Sequence, residues 1–466
     1  MSTQTQNVVP ANAISGTVTD SKIGQLQPQN TELAKLIRAS YSSADLETVR
    51  AALVKLRTLE LKRYKSGGHS AVTVLNADTL ENSIDGLLIF MWDRDNIMQC
   101  LAELMLAEND SLNAGLNVPK NNWKRGLAAS ITHHRKGEGR FLDVIQGRAS
   151  GFPKDYFRRP HIRYNPISLS EVGDPWGHGQ NDSLSFINFL LFHGLKTNRV
   201  QWNDEVGTQA TAFATLLHSY LWTIHVWEDQ DLGAWEDKVA QHWSSIACAL
   251  VSFREQYEVL FPDGALRYNK DGVDYWVRDH GVKELIEKCE AKLRELGIRE
   301  FVSSDNGDVR SADLAQINPL LLAAVAGKPV LDDENTVAVL ENIEKELMGP
   351  LGIRRYTKDV WDGRINRYDL GPNEEAQWCH GSPQMSYIYG ELFQRTGDSK
   401  YFEKQLFHFN RTIASIPASG LIPEAWIVDV NSREWVIDAN EPLAWTQSMV
   451  VMALGQMQAS LKKQGL

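Results

Sequence analysis

The sequence predicts an all-α protein built as a toroid of paired helices, and three observations lead to this fold class. Apolar residues recur at helical spacing in about a dozen segments, whereas strand-like alternation is confined to short pieces such as 422–430 and 433–437. The helical segments come in pairs separated by long loops rich in Gly, Pro, Trp and Arg. No repeat of fixed period is visible, which argues against the ordinary alternative, a solenoid of helical repeats.

Composition and charge narrow the class of protein. The chain has 466 residues, 43% hydrophobic and 23% charged, the balance of a globular protein with a large core. A net charge of −11 argues against nucleic acid and anionic membrane surfaces as partners. No apolar run approaches the ~18 residues of a membrane span. The 14 Trp residues are core material, but indole rings are also the usual platforms for sugar rings.

The start of the chain and the cysteines bear on location. Residues 1–30 are polar and lack the basic and apolar regions of a secretory signal, so we expect a flexible tail followed by a single domain over 31–466. The four cysteines are scattered without CxxC spacing. We interpret them as free, buried thiols of a reducing compartment, which predicts a cytoplasmic protein.

The elements follow in order. Helical spacing covers 31–41 and then 43–64, with Ser42 and Ser43 able to cap the second segment. The pieces 71–75 and 87–90 have β-like or irregular character and lead into Trp92. From there the pattern predicts helices over 95–108, 119–135, 181–196, 207–227, 237–257, 279–297, 312–327, 334–348, 376–397, 399–416 and 443–463.

Two segments place a carboxylate beside a Trp in a loop. Glu236 follows Trp235, and Glu424 lies two residues before Trp426 in an apolar run. A glycosidase needs two carboxylates facing each other across the scissile bond and an aromatic wall for the sugar. Acids in the first turn of the predicted helix 237–257 would also be stabilised by its dipole, which is the ordinary alternative for Glu236. Glu424 is harder to explain without a function, because a carboxylate in apolar surroundings is costly unless it is used or paired.

Further polar and aromatic clusters precede other predicted helices. Arg94 and Asp95 follow Trp92, and we expect them to hydrogen-bond the hydroxyls of a polar ligand, although Asp95 could equally cap a helix. Trp176, Gln180 and Asp182 form a second cluster, in which capping by Asp182 would leave Gln180 without a structural role. A third cluster of Arg and aromatic residues begins near Arg355, where the alternative is a solvated loop. The recurring pattern favours a carbohydrate site.

Other chemistries lack their motifs. The sequence contains no GxxxxGK[ST], no GxGxxG after a strand and no GxSxG. His133-His134 does not belong to an HExxH motif, and no His or Cys grouping has the spacing of a zinc site. We therefore predict no metal ligands.

These segments also carry a resemblance to a known family. They occur in the order found in glycoside hydrolase family 15, the glucoamylases, and the chain resembles that family over residues 45–462. It is similar as well to the glucoamylase-like domains of phosphorylase kinase α and β subunits. The matching motifs are Trp92-Asp-Arg-Asp, Gly173-Asp-Pro-Trp-Gly-His-Gly-Gln-Asn-Asp, Ala234-Trp-Glu, Arg355-Tyr, Pro423-Glu and Pro442-Leu-Ala-Trp-Thr.

The resemblance implies an (α/α)6 barrel with long loops forming the active site at one end. It implies an inverting, exo-acting hydrolase of α-glucosides, with Glu236 as general acid, Glu424 as general base and no cofactor. In those roles the pKa of Glu236 should be raised, and Glu424 should stay ionised. The predicted substrate-binding residues are Trp92, Arg94, Asp95, Trp176, Gln180, Asp182, Trp235, Arg355 and Trp426.

This chain departs from the family pattern at positions that would affect catalytic efficiency and the choice of substrate. Asp237 stands where glucoamylases commonly have a second Glu, and Ala425 stands where they commonly have Gln, an amide that would help position the base or the water. The loop 150–175 could narrow the pocket, and no starch-binding module is visible. We expect short soluble α-glucosides as substrates. The alternative function is a non-catalytic glucan- or effector-binding regulatory domain like that of phosphorylase kinase.

Overall fold

The computed structural model describes residues 26–73, 90–150, 156–173, 177–302, 309–363 and 365–466. Its α-helices in chain order are α1 Thr31–Ala34, α2 Ser43–Lys55, α3 Asp93–Glu108, α4 Asp110–Asn113, α5 Asn122–Lys136, α6 Glu138–Ile145, α7 Asn181–Lys196, α8 Gly207–Thr223, α9 Trp243–Leu260, α10 Asp279–Leu296, α11 Ile317–Ala326, α12 Asp333–Leu347, α13 Gly381–Thr396, α14 Ser399–Ser415 and α15 Ala444–Gln464. The strands are β1 Met91–Trp92, β2 Arg163–Tyr164, β3 Ala265–Lys270, β4 Val273–Arg278, β5 Phe301–Val302, β6 Val309–Arg310, β7 Gln377–Trp378, β8 Ala425–Val428 and β9 Trp435–Ile437.

Six helices close an inner ring. Helix α3 packs against α7, α7 against α9, α9 against α11, α11 against α13, α13 against α15, and α15 returns to α3. The outer ring is formed by α2, α5, α8, α10, α12 and α14, each of which precedes one inner helix in the chain. The structure therefore confirms the predicted (α/α)6 barrel.

Burial explains which helices lie inside. In α7 every residue from Asn181 to Leu195 is buried, as expected for a helix surrounded by neighbours. In α10 the buried side chains are restricted to one face, at Val282, Leu285, Cys289, Leu293 and Leu296. This single apolar stripe places α10 on the outside, where its other face meets solvent.

Some predicted helix boundaries are wrong. The helix predicted over 43–64 ends at Lys55, because Arg57 takes a left-handed conformation (φ 64°), and Leu59 is buried from the loop that follows. The helix predicted from residue 237 begins at Trp243, and the helix predicted from 376 begins at Gly381. Apolar spacing alone did not separate these loops from the helices after them.

The strands are short and serve the loops. Strands β7, β8 and β9 form an antiparallel sheet in the order β7-β8-β9, so that the predicted strand-like pieces near 422–437 are confirmed. The antiparallel hairpin of β3 and β4, which the sequence did not predict, packs against α8. β1 pairs with β2, so the loop before β2 is held beside the start of α3.

The described chain is already packed before residue 31. Leu26 is buried, and the Gln29 N–H donates to the Ala414 carbonyl (2.9 Å). Asn30 caps α1 and donates from Nδ2 to the Pro417 carbonyl (3.2 Å). Residues 1–25 of the predicted tail lie outside the described residues, as do 74–75 and 87–89 of the predicted irregular pieces.

Two further observations concern the described residues as a whole. Their helices include none that is both long and apolar enough to span a membrane. All four cysteines are buried free thiols.

Candidate active site

A cavity of about 610 Å³ lies at the end of the barrel where inner helices begin. This volume is typical of a small-ligand site. Of the predicted site residues, Trp92, Arg94, Asp95, Trp235, Glu236, Arg355 and Glu424 line it. Helices α3 and α15 contribute their first turns, and the loops before α9, after α12 and before β8 contribute further lining residues. The short strands β1, β2, β6 and β7 contribute one lining residue each.

Glu236 lies in a loop rather than in the first turn of a helix. An antiparallel bridge between Asp231 and Ala240 closes this loop before α9 begins. The backbone of Glu236 is left-handed, with φ 58°. This conformation costs a non-glycine residue roughly 1–2 kcal/mol, and such residues are enriched at functional sites. The helix-dipole explanation for Glu236 is therefore wrong.

The Glu236 carboxylate is held by hydrogen-bond donors and cations. Trp92 donates from Nε1 to Oε1 (3.0 Å), and Arg94 Nη2 lies 3.7 Å from the same oxygen. The Arg163 guanidinium also interacts electrostatically with this carboxylate. A donor and two cations stabilise negative charge on Glu236.

Gln180 and Asp182 do not line the cavity. The buried Arg94 donates from Nη1 to Gln180 Oε1 (3.0 Å), to Asp182 Oδ2 (3.2 Å) and to Ser183 Oγ (3.1 Å). One oxygen of each side chain is engaged by the Arg94 guanidinium, and direct binding of substrate by Gln180 and Asp182 stays a prediction. They fix the position of Arg94, and their loop leads into α7 as predicted.

Asp95 faces the cavity and does not cap its helix. Helix α3 begins after Trp92, with no side-chain hydrogen bond at its N-cap. Burial and the nearby Glu236 charge raise the pKa of Asp95 to about 6, while Arg94 acts in the opposite direction. Asp95 is therefore not the N-cap residue of α3. Its predicted hydrogen bond to a ligand hydroxyl stays a prediction.

Glu424 is fixed by its neighbours in the small sheet. Its backbone N–H donates to the Asn440 carbonyl (3.0 Å), and its carbonyl accepts from the Cys379 N–H (2.9 Å). The Asn440 amide donates from Nδ2 to Oε2 of the carboxylate (2.6 Å). The side chain therefore enters the cavity from a backbone that is hydrogen-bonded on both sides.

The charge environment of Glu424 differs from the sequence expectation. Burial and the carboxylates of Asp438 and Asp95 raise the pKa of Glu424 to about 8, although Asn440 and Arg355 lower it. The direction of this shift opposes the expectation that Glu424 stays ionised. Burial is the largest cause, and the next is Asp438, which follows β9 and donates its N–H to the carbonyl of Ala425, the residue after Glu424 (3.0 Å).

Arg355 and two Trp rings form another wall. The buried Asp359 carboxylate accepts two hydrogen bonds from Arg355, at 2.6 and 2.7 Å. The guanidinium carbon lies 5.4 Å from the Trp235 ring centre and 5.1 Å from that of Trp378. Trp235 donates from Nε1 to Asp313 Oδ1 (2.6 Å), which fixes its indole. This wall offers aromatic surface beside a cation of fixed orientation.

The two other predicted Trp residues are not found in the cavity. Trp426 is buried in the core and donates from Nε1 to the Ser415 carbonyl (3.1 Å), so its role in substrate binding stays a prediction without support from the cavity lining. A Trp in a strand can point to either side, and here the apolar core holds it. Trp176 lies outside the described residues.

Several residues that line the cavity are absent from the predicted set of site residues. Trp378, Trp445 and Trp361 line it although none was assigned to the site, and so do Tyr356 and its partner Asp237, whose Oδ2 accepts from the Tyr356 hydroxyl (2.6 Å). Trp445 belonged to a recognised motif, which was a usable signal. Asp438 and Asn440 gave no signal, because only the fold brings them beside Glu424.

The described residues hold no cluster of three or more His, Cys, Asp or Glu side chains arranged to bind a metal ion. The expectation that the chemistry needs no cofactor stays a prediction.

Comparison with known proteins defines the fold further. No protein-family model matches the sequence, and no curated protein matches it. Among solved structures, a glycosidase in complex with glucose aligns with a TM-score of 0.61 at 13% identity, over 92% of this chain and 98% of that one. A glucoamylase from Saccharomycopsis fibuligera aligns with a TM-score of 0.57 at 14% identity, over 90% and 98%. A family 15 glucoamylase from Hypocrea jecorina aligns with a TM-score of 0.54 at 11% identity, over 89% and 72%. The chain therefore shares the (α/α)6-barrel fold of the glucoamylases.

Proposed function

We propose that this protein is an inverting, exo-acting α-glucosidase of the glucoamylase type. One observation carries the proposal: Glu236 and Glu424, far apart in the chain, line the same cavity. The cavity also presents Arg94 and Asp95, the groups that family resemblance assigns to sugar hydroxyls. We further propose that the barrel is a single catalytic domain acting in the cytoplasm, where buried free thiols are usual.

Each carboxyl has a defined step in the reaction. Glu236 gives a proton to the glycosidic oxygen as the bond to the anomeric carbon breaks. Glu424 accepts a proton from a water that attacks the same carbon from the opposite face, so that the anomeric configuration inverts. Room for this water requires the carboxyl groups to lie roughly 6.5–9.5 Å apart.

The groups around Glu424 affect whether this carboxyl carries a proton, and therefore whether it can act as a base. Burial and the neighbouring carboxylates raise the pKa of Glu424 and so favour its protonated form, whereas the assigned base must be ionised. Asp95 links the two sites, because Glu236 raises its pKa and it in turn raises that of Glu424. Interacting carboxyls titrate as a group. The roles of acid and base are therefore proposed on resemblance and need a direct test.

Glucose release from maltose, maltotriose, isomaltose and trehalose tests the activity. We expect release from at least one, with β-glucose as the first anomer detected by NMR. Glu236→Gln and Glu424→Gln should each fold normally and lose most of this activity. Initial α-glucose would contradict inversion. Binding of glucan without any hydrolysis would support the regulatory alternative.

A substrate whose leaving group needs no proton separates the two roles. Fluoride departs from α-glucosyl fluoride without acid catalysis, so Glu236→Gln should retain much of its activity on this substrate. Glu424→Gln should remain inactive, because the attacking water still needs its base. The reverse pattern would exchange the roles of the two residues.

A further inference from the structure

Asn440 is held against Glu424 by two separate hydrogen bonds. Its side-chain Nδ2 donates to Glu424 Oε2 at 2.6 Å, and its carbonyl accepts the Glu424 backbone N–H at 3.0 Å. Its own N–H donates to Asp438 Oδ1 at 3.2 Å. The amide therefore has a fixed position relative to both the backbone and the carboxyl group of Glu424.

The small sheet explains why residue 440 occupies this place. Strands β8 and β9 are antiparallel, and Trp426 lies opposite Ile437. Continued past the strand ends, this register would place Ala439 opposite Glu424, and the Asp438 N–H still follows it by donating to the Ala425 carbonyl. Beyond that point the pairing is displaced by one residue, so Asn440 meets Glu424 although sixteen residues separate them in the chain.

The hydrogen bond from Asn440 to Glu424 also bears on the presence of Ala425 where the family pattern has Gln. The family pattern has Gln directly after the base, whereas this chain has Ala425, which is fully buried. The carbonyl of Ala425 accepts the Asp438 N–H, so residue 425 is part of the sheet. An amide reaching Glu424 comes instead from the facing segment.

We propose that Asn440 is the positioning residue of the general base, supplying an amide from the segment after β9 in place of the residue that follows the base. The hydrogen bond engages Oε2 and fixes the rotation of the carboxyl group, which directs Oε1 toward the attacking water. This inference rests on the proposed glycosidase function.

The bond also acts on the charge of Glu424. The groups facing this carboxyl are Asp438 and Asp95, which raise its pKa, and Arg355 and Asn440, which lower it. Loss of the Asn440 amide therefore raises the pKa of Glu424 further. A base that must be ionised then works only at higher pH.

The test compares Asn440→Ala and Asn440→Asp with wild type and with Asn431→Ala. Asn431 is an exposed residue in the turn between β8 and β9, so it controls for changes in the same hairpin. We expect Asn440→Ala to lower kcat about ten- to a hundredfold, as for loss of a hydrogen bond to a charged group, with little change in KM. The acidic limb of its pH profile should move to higher pH. Asn431→Ala should match wild type.

The possible outcomes are distinct. An inactive wild type would refute the proposed function rather than the role of Asn440. An active wild type with unchanged kcat and pH profile in both Asn440 variants would overturn the inference. So would a loss of kcat that follows a lower Tm without a shift of the pH profile, because that pattern indicates a structural role. If Asn440→Ala does not fold, Asn440→Asp has the same size and decides the question.

Discussion

At the scale of single residues, the structure separates the two interpretations of Asp95, since the residue lines the cavity and is not the N-cap of α3. We predict that Asp95→Asn causes a large loss of activity with little change in Tm. A charge-assisted hydrogen bond to a sugar hydroxyl would be weakened, at a cost of about 1–3 kcal/mol. Stability should be retained because Asp95 does not cap α3. Early unfolding with normal specific activity would show that Asp95 is structural.

Asp438 offers a test of the electrostatics around Glu424. Its carboxylate raises the pKa of Glu424, so Asp438→Asn should lower that pKa, while the remaining Asp95, Arg355 and Asn440 still act on it. If Glu424 is the base, the acidic limb of kcat/KM should move to lower pH. Movement of the basic limb alone would identify Glu424 as the acid. Unchanged limbs would contradict the coupling.

The sequence located residues of the cavity better than it located their contacts. Trp92, Arg94 and Asp95 lie together because they start one inner helix, which a local pattern can reveal. Gln180 was assigned to the ligand, whereas its Oε1 accepts a hydrogen bond from Arg94. Asn440 was missed altogether. Such contacts depend on which segments the fold brings together, and no local pattern encodes that.

At the scale of elements, a buried charge joins three helices. Glu344 of α12 accepts hydrogen bonds from Tyr389 of α13 (2.8 Å) and from His408 of α14 (3.0 Å), and it forms an ion pair with Lys404 of α14. Burial lowers the pKa of His408, although its hydrogen bond to Glu344 acts in the opposite direction. These donors lower the pKa of Glu344 to about 2.

We predict that Glu344→Gln lowers the free energy of unfolding by about 2 kcal/mol at pH 7, because donors to a charged group lose their acceptor. A carboxyl whose pKa is lowered on folding stabilises fully above its ordinary pKa of 4.5, and this stabilisation is lost as the pH falls toward 2. The difference between variant and wild type should therefore shrink below pH 4.5.

Urea unfolding at pH 7 and at pH 3 measures this difference. Glu341→Gln, an exposed change in the same helix, is the matched control and should leave stability unchanged. A pH-independent effect of Glu344→Gln would show that packing rather than charge makes the contribution.

Helices were easier to predict than the loops that carry the site. The pattern of apolar residues predicted the bounds of α7 correctly, and that helix is buried along nearly its whole length. The same signal placed Glu236 at the start of a helix, whereas the chain forms a closed loop there before Trp243. Within this loop, Trp235 donates a hydrogen bond to Asp313, a contact across 78 positions of the chain that no local pattern can reveal.

At the scale of the whole molecule, the barrel topology explains why the site lies at one end. Inner helices alternate with outer ones along the chain, so the inner helices run in the same direction and their first turns meet. Arg94, Asp95 and Trp445 all lie in such first turns and line the cavity. Helix N-termini carry partial positive charge, which favours the carboxylates gathered here.

The last prediction concerns the size of substrate that this end of the barrel accepts. Arg163 lines the cavity from β2, which pairs with β1. The loop after β2 is tied down by two hydrogen bonds between Arg140 and Glu171, at 2.6 and 2.8 Å. If the protein is the proposed glycosidase, we expect a wall fixed in this way, around a cavity of about 610 Å³, to favour a short oligosaccharide over a polymer.

We therefore predict a higher kcat/KM on maltotriose than on soluble starch, with both substrates compared at equal concentrations of non-reducing ends. Initial rates of glucose release measure it. The comparison at equal ends matters, because an exo-acting enzyme sees starch only as a supply of chain ends. Equal values on the two substrates would contradict the prediction, since they would mean that the wall carrying Arg163 does not restrict the approach of a long chain.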